Sequence, residues 1–203
     1  MKFSLFSPLF LSLIGTVSVS ADPSETFVYE SKPVPERAEI NCDIKYQNMA
    51  DICSAAQKGT EHTELEAFCD LLDFVSFTDG SNLGSNDPYT VFAATNSAVD
   101  RFFTNVWGSR EITKSALIPI LSGSIIEAKL STEELICGNR PNTWAKRDPV
   151  LKCKADIADN PISYVKGNKN KKDFTPKFVD PAEPIETCTT LIYTVTDLIY
   201  PSE

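Results

Sequence analysis

The hydrophobic pattern divides the chain into an apolar start, a polar stretch and a long periodic segment. Residues 3–17 are mostly Phe, Leu, Ile and Val, they follow a lysine at position 2, and they lead to Val-Ser-Ala at 19–21. This three-part pattern is typical of a cleavable export signal covering residues 1–21. A membrane anchor is the alternative. It is disfavoured because the run is short for a bilayer span and no charged stop-transfer cluster follows.

The polar stretch at 22–40 contains three prolines and several acidic residues. Its low apolar content predicts a flexible leader. Apolar residues then return at regular spacing, which predicts a folded domain over 41–203, long enough to bury a substantial core.

The pattern from residue 48 onward predicts two helices in succession. Asn48 is a suitable N-cap for the first. The second is predicted to begin with a Thr63-x-x-Glu66 capping box, in which the hydroxyl and the carboxylate each satisfy a free backbone N–H. Its apolar residues recur at the spacing of one helical face: Leu65, Phe68, Leu72 and Val75.

Further helices are predicted in the middle of the chain. One begins at a cap formed by Thr95 or Asn96. Helical signal continues through 113–121, although Pro119 predicts a break there. Ser131-x-x-Glu134 is a second capping box, which predicts a short helix that ends near Gly138.

Strand patterns are concentrated later in the chain. A short buried strand is predicted at 89–93, and alternating or β-branched runs occur at 151–157, 162–165, 178–179 and 189–200. Helices first and strands later indicate an α+β fold with an antiparallel sheet rather than repeated βαβ units.

Six cysteines follow the export signal, and an even number in an exported chain predicts up to three disulfides. A zinc site is disfavoured because the chain has no C-x-x-C pair and only one histidine. The pairing stays open, although Cys137 and Cys153 flank a loop rich in Pro, Asn and Arg and are the best single candidate pair. The candidates are Cys42, Cys53, Cys69, Cys137, Cys153 and Cys188.

The net charge of −9 disfavours non-specific binding to nucleic acid and to anionic membranes. No second apolar run is long enough to span a bilayer, the C-terminus carries no lipid-anchor or retention signal, and no Asn-x-Ser/Thr glycosylation site occurs. We therefore expect a secreted or lumenal protein with no membrane span, no lipid anchor and no cofactor, of open oligomeric state.

Catalytic chemistry finds little support in the sequence. His62, the one histidine, lies at a predicted helix start beside two glutamates, which favours a solvated role over that of a general base. The stretch from Asp79 to Asp87 partly matches a calcium loop. However, Leu83 occupies a ligand position and Thr90 stands where the bidentate Glu belongs, so a polar surface loop is favoured.

A local basic cluster interrupts this acidic chain. It consists of Lys166, Lys169, Lys171 and Lys172. The cluster is a candidate contact for a polyanion such as a sulfated polysaccharide. A solvated hairpin turn is the alternative and is favoured, because charged runs in loops usually serve solubility.

Two segments carry a resemblance to a known family. Residues 89–99, Tyr-Thr-Val-Phe-Ala-Ala-Thr-Asn-Ser-Ala-Val, resemble the first signature of fasciclin domains, Thr-Val-Phe-Ala-Pro-Thr-Asn-x-Ala-Phe. Residues 190–201 resemble the second signature, with Tyr193 where the family has His and Pro201 at the closing Pro. The family's internal Tyr-His pair has no counterpart near Pro119. The motif residues are Thr90, Val91, Phe92, Ala93, Thr95, Asn96, Tyr193 and Pro201.

The resemblance covers about residues 48–201. It implies a wedge-shaped antiparallel β-sandwich of about seven strands with helices along one edge. It also implies a secreted, non-enzymatic adhesion or matrix-binding module that contacts extracellular proteins or polysaccharides. A small-ligand or metal-ion carrier and an accessory subunit of a larger assembly are the alternatives. The polar residues of the first signature are explained first as helix caps, and only second as ligand contacts.

Overall fold

The computed structural model describes residues 42–80, 82–135, 138, 140–145, 150–152, 164–167, 169–179 and 183–200. The predictions for the export signal, the leader, the Cys137–Cys153 pair and Pro201 lie outside these residues. The described helices are α1 (Met49–Gln57), α2 (Glu66–Phe74), α3 (Asn96–Phe102) and α4 (Lys114–Ser122). A π-helical turn (Phe103–Trp107) extends α3, and 3-10 turns occupy Thr63–Leu65 and Lys172–Phe174. The strands are β1 (Tyr89–Ala94), β2 (Ile125–Ile126), β3 (Val150–Lys152), β4 (Tyr164–Lys166), β5 (Ile185–Glu186) and β6 (Thr190–Val195).

The main sheet has four strands in the order β2-β1-β6-β5, and β3 pairs with β4 separately. β1 runs parallel to β6 over the whole length of both, from Tyr89 beside Thr190 to Ala94 beside Val195, while the outer pairs are antiparallel. The α+β prediction is confirmed. The antiparallel prediction is wrong for the central pair: long intervening chain, including α3 and α4, supplies the crossover that parallel strands require.

The core lies between this central pair and the helices. All six residues of β1 are buried, as expected for a strand covered on both faces. Beneath it, α1 contributes Met49 and Ile52, and α2 contributes Phe68 and Leu72, all fully buried. The predicted apolar face of α2 is therefore confirmed.

Two disulfides link the described segments. Cys53 and Cys69 join α1 to α2 with a Cα–Cα distance of 5.1 Å. Cys42 and Cys188 join the chain before α1 to the turn between β5 and β6, with a Cα–Cα distance of 5.9 Å. Disulfide formation by these four cysteines agrees with the prediction.

Two local predictions need correction. Thr63 begins a 3-10 turn without a side-chain cap, so the predicted capping box does not form. At the second box Glu134 does accept a hydrogen bond from the Ser131 N–H at 2.8 Å, but residues 132–134 form only a turn. A single turn fixes several dihedrals for few hydrogen bonds, so it does not extend into a helix without further packing.

The predicted break at Pro119 is also wrong. α4 runs through Pro119 to Ser122, and Leu117, Ile120 and Leu121 on its inner face are buried in the core. Packing of this face outweighs the local cost of the proline. Within the described residues, no helix combines the length and apolarity needed to cross a membrane.

Candidate functional site

Thr90 shows how the first signature is used. Its hydroxyl donates to the Ala128 carbonyl at 2.6 Å and accepts from the Leu130 N–H at 2.8 Å, which fixes the chain after β2 to the central strand. Both hydrogen-bonding roles of the hydroxyl are therefore used inside the fold. The next three signature residues are fully buried: Val91, Phe92 and Ala93.

The polar pair that follows β1 caps two different helices. Thr95 Oγ1 accepts from the Ala98 N–H at 3.3 Å and caps α3. Asn96 instead reaches α2, where its Oδ1 accepts from the Ala67 N–H at 2.9 Å and its Nδ2 donates to the Thr63 carbonyl at 2.7 Å. Asn96 thus satisfies a free backbone N–H in the first turn of α2, which has no side-chain cap of its own.

Tyr193 occupies the second-signature position where the family has His. Its hydroxyl donates to the Leu130 carbonyl at 3.0 Å, and burial raises the pKa of Tyr193. Its ring packs against Phe92 and Phe178, with centroid distances of 6.1 and 5.7 Å. The described signature side chains therefore bond and pack within the domain.

His62 lies in a small polar cluster before α2. Its ring meets Tyr46 edge-on with centroids 5.8 Å apart, and its Nδ1 is 3.9 Å from Glu64 Oε1. Glu61 accepts hydrogen bonds from Lys45 and Tyr46. Both bonds lower the pKa of Glu61, and the bond from Lys45 lowers it more than the bond from Tyr46 does. This cluster ties Lys45 and Tyr46 to the turn before α2.

The predicted polar loop at 79–87 docks against α1. A Cβ on Gly84 would lie 2.6 Å from the Thr78 carbonyl oxygen, so only glycine fits there. The Gly84 carbonyl accepts from Asn48 Nδ2 at 3.0 Å. Among the described residues, no group of three potential metal-ligating side chains occurs.

The basic cluster lies in and beside a loop that follows β4, and its Lys171 and Lys172 are exposed. Lys166 ends β4, Lys169 follows in the loop, and Lys171 and Lys172 lie at the 3-10 turn. The Lys169 N–H donates to the Tyr200 carbonyl at 3.0 Å, and its Nζ lies 5.8 Å from the Tyr200 ring centroid. The loop is therefore fixed to the segment that follows β6.

Asn170 is the residue that holds this basic loop in place. It is only 8% exposed, and its side-chain amide makes four hydrogen bonds. Nδ2 donates to the carbonyls of Phe174 and Leu198 at 2.8 and 2.9 Å. Oδ1 accepts from the N–H groups of Gly167 and Tyr200, both at 3.0 Å. One buried amide thus joins both arms of the loop to the chain after β6.

Gly167 permits the close approach of these two segments. A Cβ at this position would lie 2.4 Å from the Tyr200 carbonyl oxygen and 2.9 Å from Asn170 Oδ1. Both distances are far below van der Waals contact. Because glycine has no Cβ, the loop can lie directly against the backbone of Tyr200, and no larger side chain fits there.

The fixed loop forms one wall of an apolar cleft. The opposite wall comes from the π-helical extension of α3 and from the chain after β6. The cleft is open to solvent, has a cavity volume of about 50 Å³, and its apolar lining is Phe102, Val106, Phe174, Leu198 and Tyr200. Lys169 and Lys171 stand at its rim, so an apolar floor lies beside positive charge.

A polar groove of about 400 Å³, also open to solvent, continues from this cleft and shares Asp197 with it. Its charged lining consists of Arg101, Lys172, Lys177, Asp173 and Asp197. The Arg101 guanidinium donates to the buried Asp197 carboxylate and, at 3.0 Å, to the Thr196 carbonyl. The Arg101 Cζ also lies 5.9 Å from the Phe174 ring centroid, at the border between groove and cleft.

We call the cleft and the groove together the basic groove. The structure brings Lys169, Lys171 and Lys172 of the predicted cluster to it, and Lys166 is not among its lining residues. It adds Arg101 and Lys177, which sequence reasoning missed. Arg101 belongs to a helix far away in the chain, and no sequence spacing relates it to the lysines.

No family model matches this chain, and no curated protein does. Among solved structures, the chain is similar to a FAS1 domain pair from the insect cell adhesion molecule fasciclin I. That likeness has 14% identity and a TM-score of 0.45, and it covers 70% of this chain and 46% of the other. The function has to be inferred from the chain's own residues.

Proposed function

We propose that this fasciclin-like chain is an extracellular, non-enzymatic binding module of the adhesion type, and that it contacts an anionic partner at the basic groove. Export is supported by the signal-like residues 1–21 and by two disulfides, which persist in oxidising compartments. The partner is an extracellular protein or polysaccharide.

One observation carries the binding proposal. The chain has 19 Lys and Arg against 28 Asp and Glu, yet among the described residues the basic groove gathers five cationic side chains and two carboxylates. Asp197, one of the two, is paired with Arg101. The cations come from α3 and from the loop after β4, so folding assembles them. Local positive potential in an acidic protein favours anionic partners.

Hydrogen bonds also hold the backbone of the basic groove in place. Thr175 Oγ1 donates to the Lys171 and Lys172 carbonyls at 3.3 Å, and Thr196 Oγ1 accepts from the Lys177 N–H at 3.0 Å. With the Asn170 bonds, these contacts fix the backbone that carries the lysines. A partner that binds here does not have to order the loop, which lowers the entropic cost of association.

The proposal is tested with two polyanions, heparin and poly-glutamate, each immobilised and probed with the full chain after export. We expect binding to at least one of them at low salt, and weakening as salt rises because exposed charges are screened. Lys171→Ala/Lys172→Ala should weaken binding several-fold. The matched control Lys58→Ala/Lys114→Ala removes equal charge from exposed sites elsewhere and should not. Binding to neither polyanion, or equal loss in both variants, contradicts the proposal.

A further inference from the structure

The apolar cleft restricts the chemistry of the partner more than the charges do. Its apolar lining comes from five side chains, of which Val106, Phe174 and Tyr200 are only half-buried and present apolar surface to solvent. Charge attraction alone leaves such a surface in contact with water. A partner gains from the cleft only if it carries an apolar group of side-chain size to place there.

We propose that the occupant of the basic groove is an acidic protein segment with one apolar anchor residue, a refinement that rests on the proposed function. The anchor side chain fills the cleft between Val106 and Phe174. Carboxylates of the neighbouring residues of the segment pair with Lys171 at the rim of the cleft and with Lys172 and Lys177 in the polar groove. A central apolar anchor surrounded by charged contacts is the usual arrangement of energetically dominant residues at protein interfaces.

The continuity of cleft and groove supports a chain-like ligand. Both are lined by Asp197, and Arg101 lies over Phe174 where they meet. An extended peptide advances about 3.3 Å per residue. An anchor and acidic residues within a few positions of it therefore reach the cleft and the lysines together.

Charge favours a short acidic segment over a long anionic polysaccharide. The whole chain carries −9, so a uniformly charged polymer that runs beyond the groove meets net repulsion. Asp173 and Asp197 also interrupt the positive lining. A peptide confines its negative charge to the groove, and its anchor adds an apolar contact that sulfated sugars lack.

The test uses labelled peptides and the full chain after export, with binding followed by fluorescence anisotropy. The probe is acetyl-Gly-Glu-Phe-Glu-Glu-Gly-amide, and its control carries Ala in place of Phe. Burying a Phe side chain in the cleft is expected to strengthen binding roughly tenfold or more over the Ala peptide. Lys171→Ala/Lys172→Ala should weaken both peptides.

Val106→Glu places a carboxylate in the cleft and is expected to abolish the Phe-over-Ala preference. Ile112→Glu is the matched control, because Ile112 is 47% exposed and outside the groove, and it should keep the preference. A thermal melt checks that each variant folds. If Val106→Glu lacks a folding transition, Val106→Ala replaces it. This variant should reduce the ratio of the affinities for the Phe and Ala peptides.

Three results overturn the inference. The first is equal binding of the Phe and Ala peptides, which leaves the proposed function intact if the lysine dependence persists. The second is tighter binding of a heparin fragment that Val106→Glu does not affect, which identifies a polysaccharide partner. The third is saturable binding of octanoate that does not depend on Lys171 and Lys172, which identifies a small-ligand carrier.

Discussion

Replacing Asn170 by alanine tests whether the basic loop is part of the cooperative fold. The change removes four hydrogen bonds at once. Two of the orphaned partners, the Gly167 N–H and the Leu198 carbonyl, belong to buried residues. The other two belong to half-buried residues, where water can replace the amide.

The expected loss follows from these partners. A buried polar group left without a partner costs about 1–3 kcal/mol, so the two buried groups together cost about 2–6 kcal/mol. We therefore expect Asn170→Ala to lower the free energy of unfolding by about 4 kcal/mol. Domains have only about 5–15 kcal/mol in total, so the shift is large. Urea denaturation followed by circular dichroism measures it from the midpoint and slope.

Asn105→Ala is the matched control for that experiment. Asn105 is exposed and its side chain donates one hydrogen bond, to the Arg101 carbonyl at 3.1 Å. Its replacement should cost at most about 0.5 kcal/mol, the usual range for surface positions. If both variants lose the same small amount, the four-bond account of Asn170 is refuted.

Three further outcomes follow from other residues. Gly167→Ala should destabilise the loop and abolish polyanion binding, because its Cβ would overlap the backbone of Tyr200; calorimetry and anisotropy check both. Cys53→Ala/Cys69→Ala opens a 16-residue loop and should cost about 3 kcal/mol in urea unfolding. Tyr193→Phe should cost about 1 kcal/mol at neutral pH. Burial raises the pKa of Tyr193. The contribution of its neutral hydroxyl to the free energy of unfolding is therefore complete below about pH 10 and is lost as pH rises through the folded-state pKa. The Tyr193→Phe variant should lack this alkaline decline.

Each of these outcomes has a clear opposite. Unchanged melting and binding of Gly167→Ala would show that the loop can move away from Tyr200. A loss below about 1 kcal/mol for the double cysteine variant would contradict the chain-entropy account. Equal alkaline destabilisation of the wild-type chain and Tyr193→Phe would remove Tyr193 as its source.

Local patterns predicted the local elements well. Asn48 caps α1 as expected, with its side chain accepting from two backbone N–H groups, and 89–93 is a buried strand. Such features depend on neighbouring residues, which the sequence shows directly. The cap of α2 was missed because Asn96 supplies it across 29 residues of chain.

The direction of the central strands and the makeup of the site depend on long-range contacts. Runs of β-branched and aromatic residues predict that β1 and β6 are strands, but a distant pair without a hairpin can run either way. Likewise, four lysines indicated a basic loop, while the pairing of Asn170 with the Leu198 carbonyl and the approach of Arg101 appear only in the folded chain.

The Cys42–Cys188 disulfide has a mechanical consequence for a module that holds a partner. It attaches the chain before α1 to the turn that leads into β6, whereas the basic groove lies beyond the opposite end of that strand. A tensile load between residue 42 and a bound partner would therefore enter β6 at one end and leave at the other. The parallel register with β1, six residue pairs long, would hold the loaded strand in the sheet along its whole length. Without that covalent bond, the same load would pass from residue 42 into α1 before it reached the sheet.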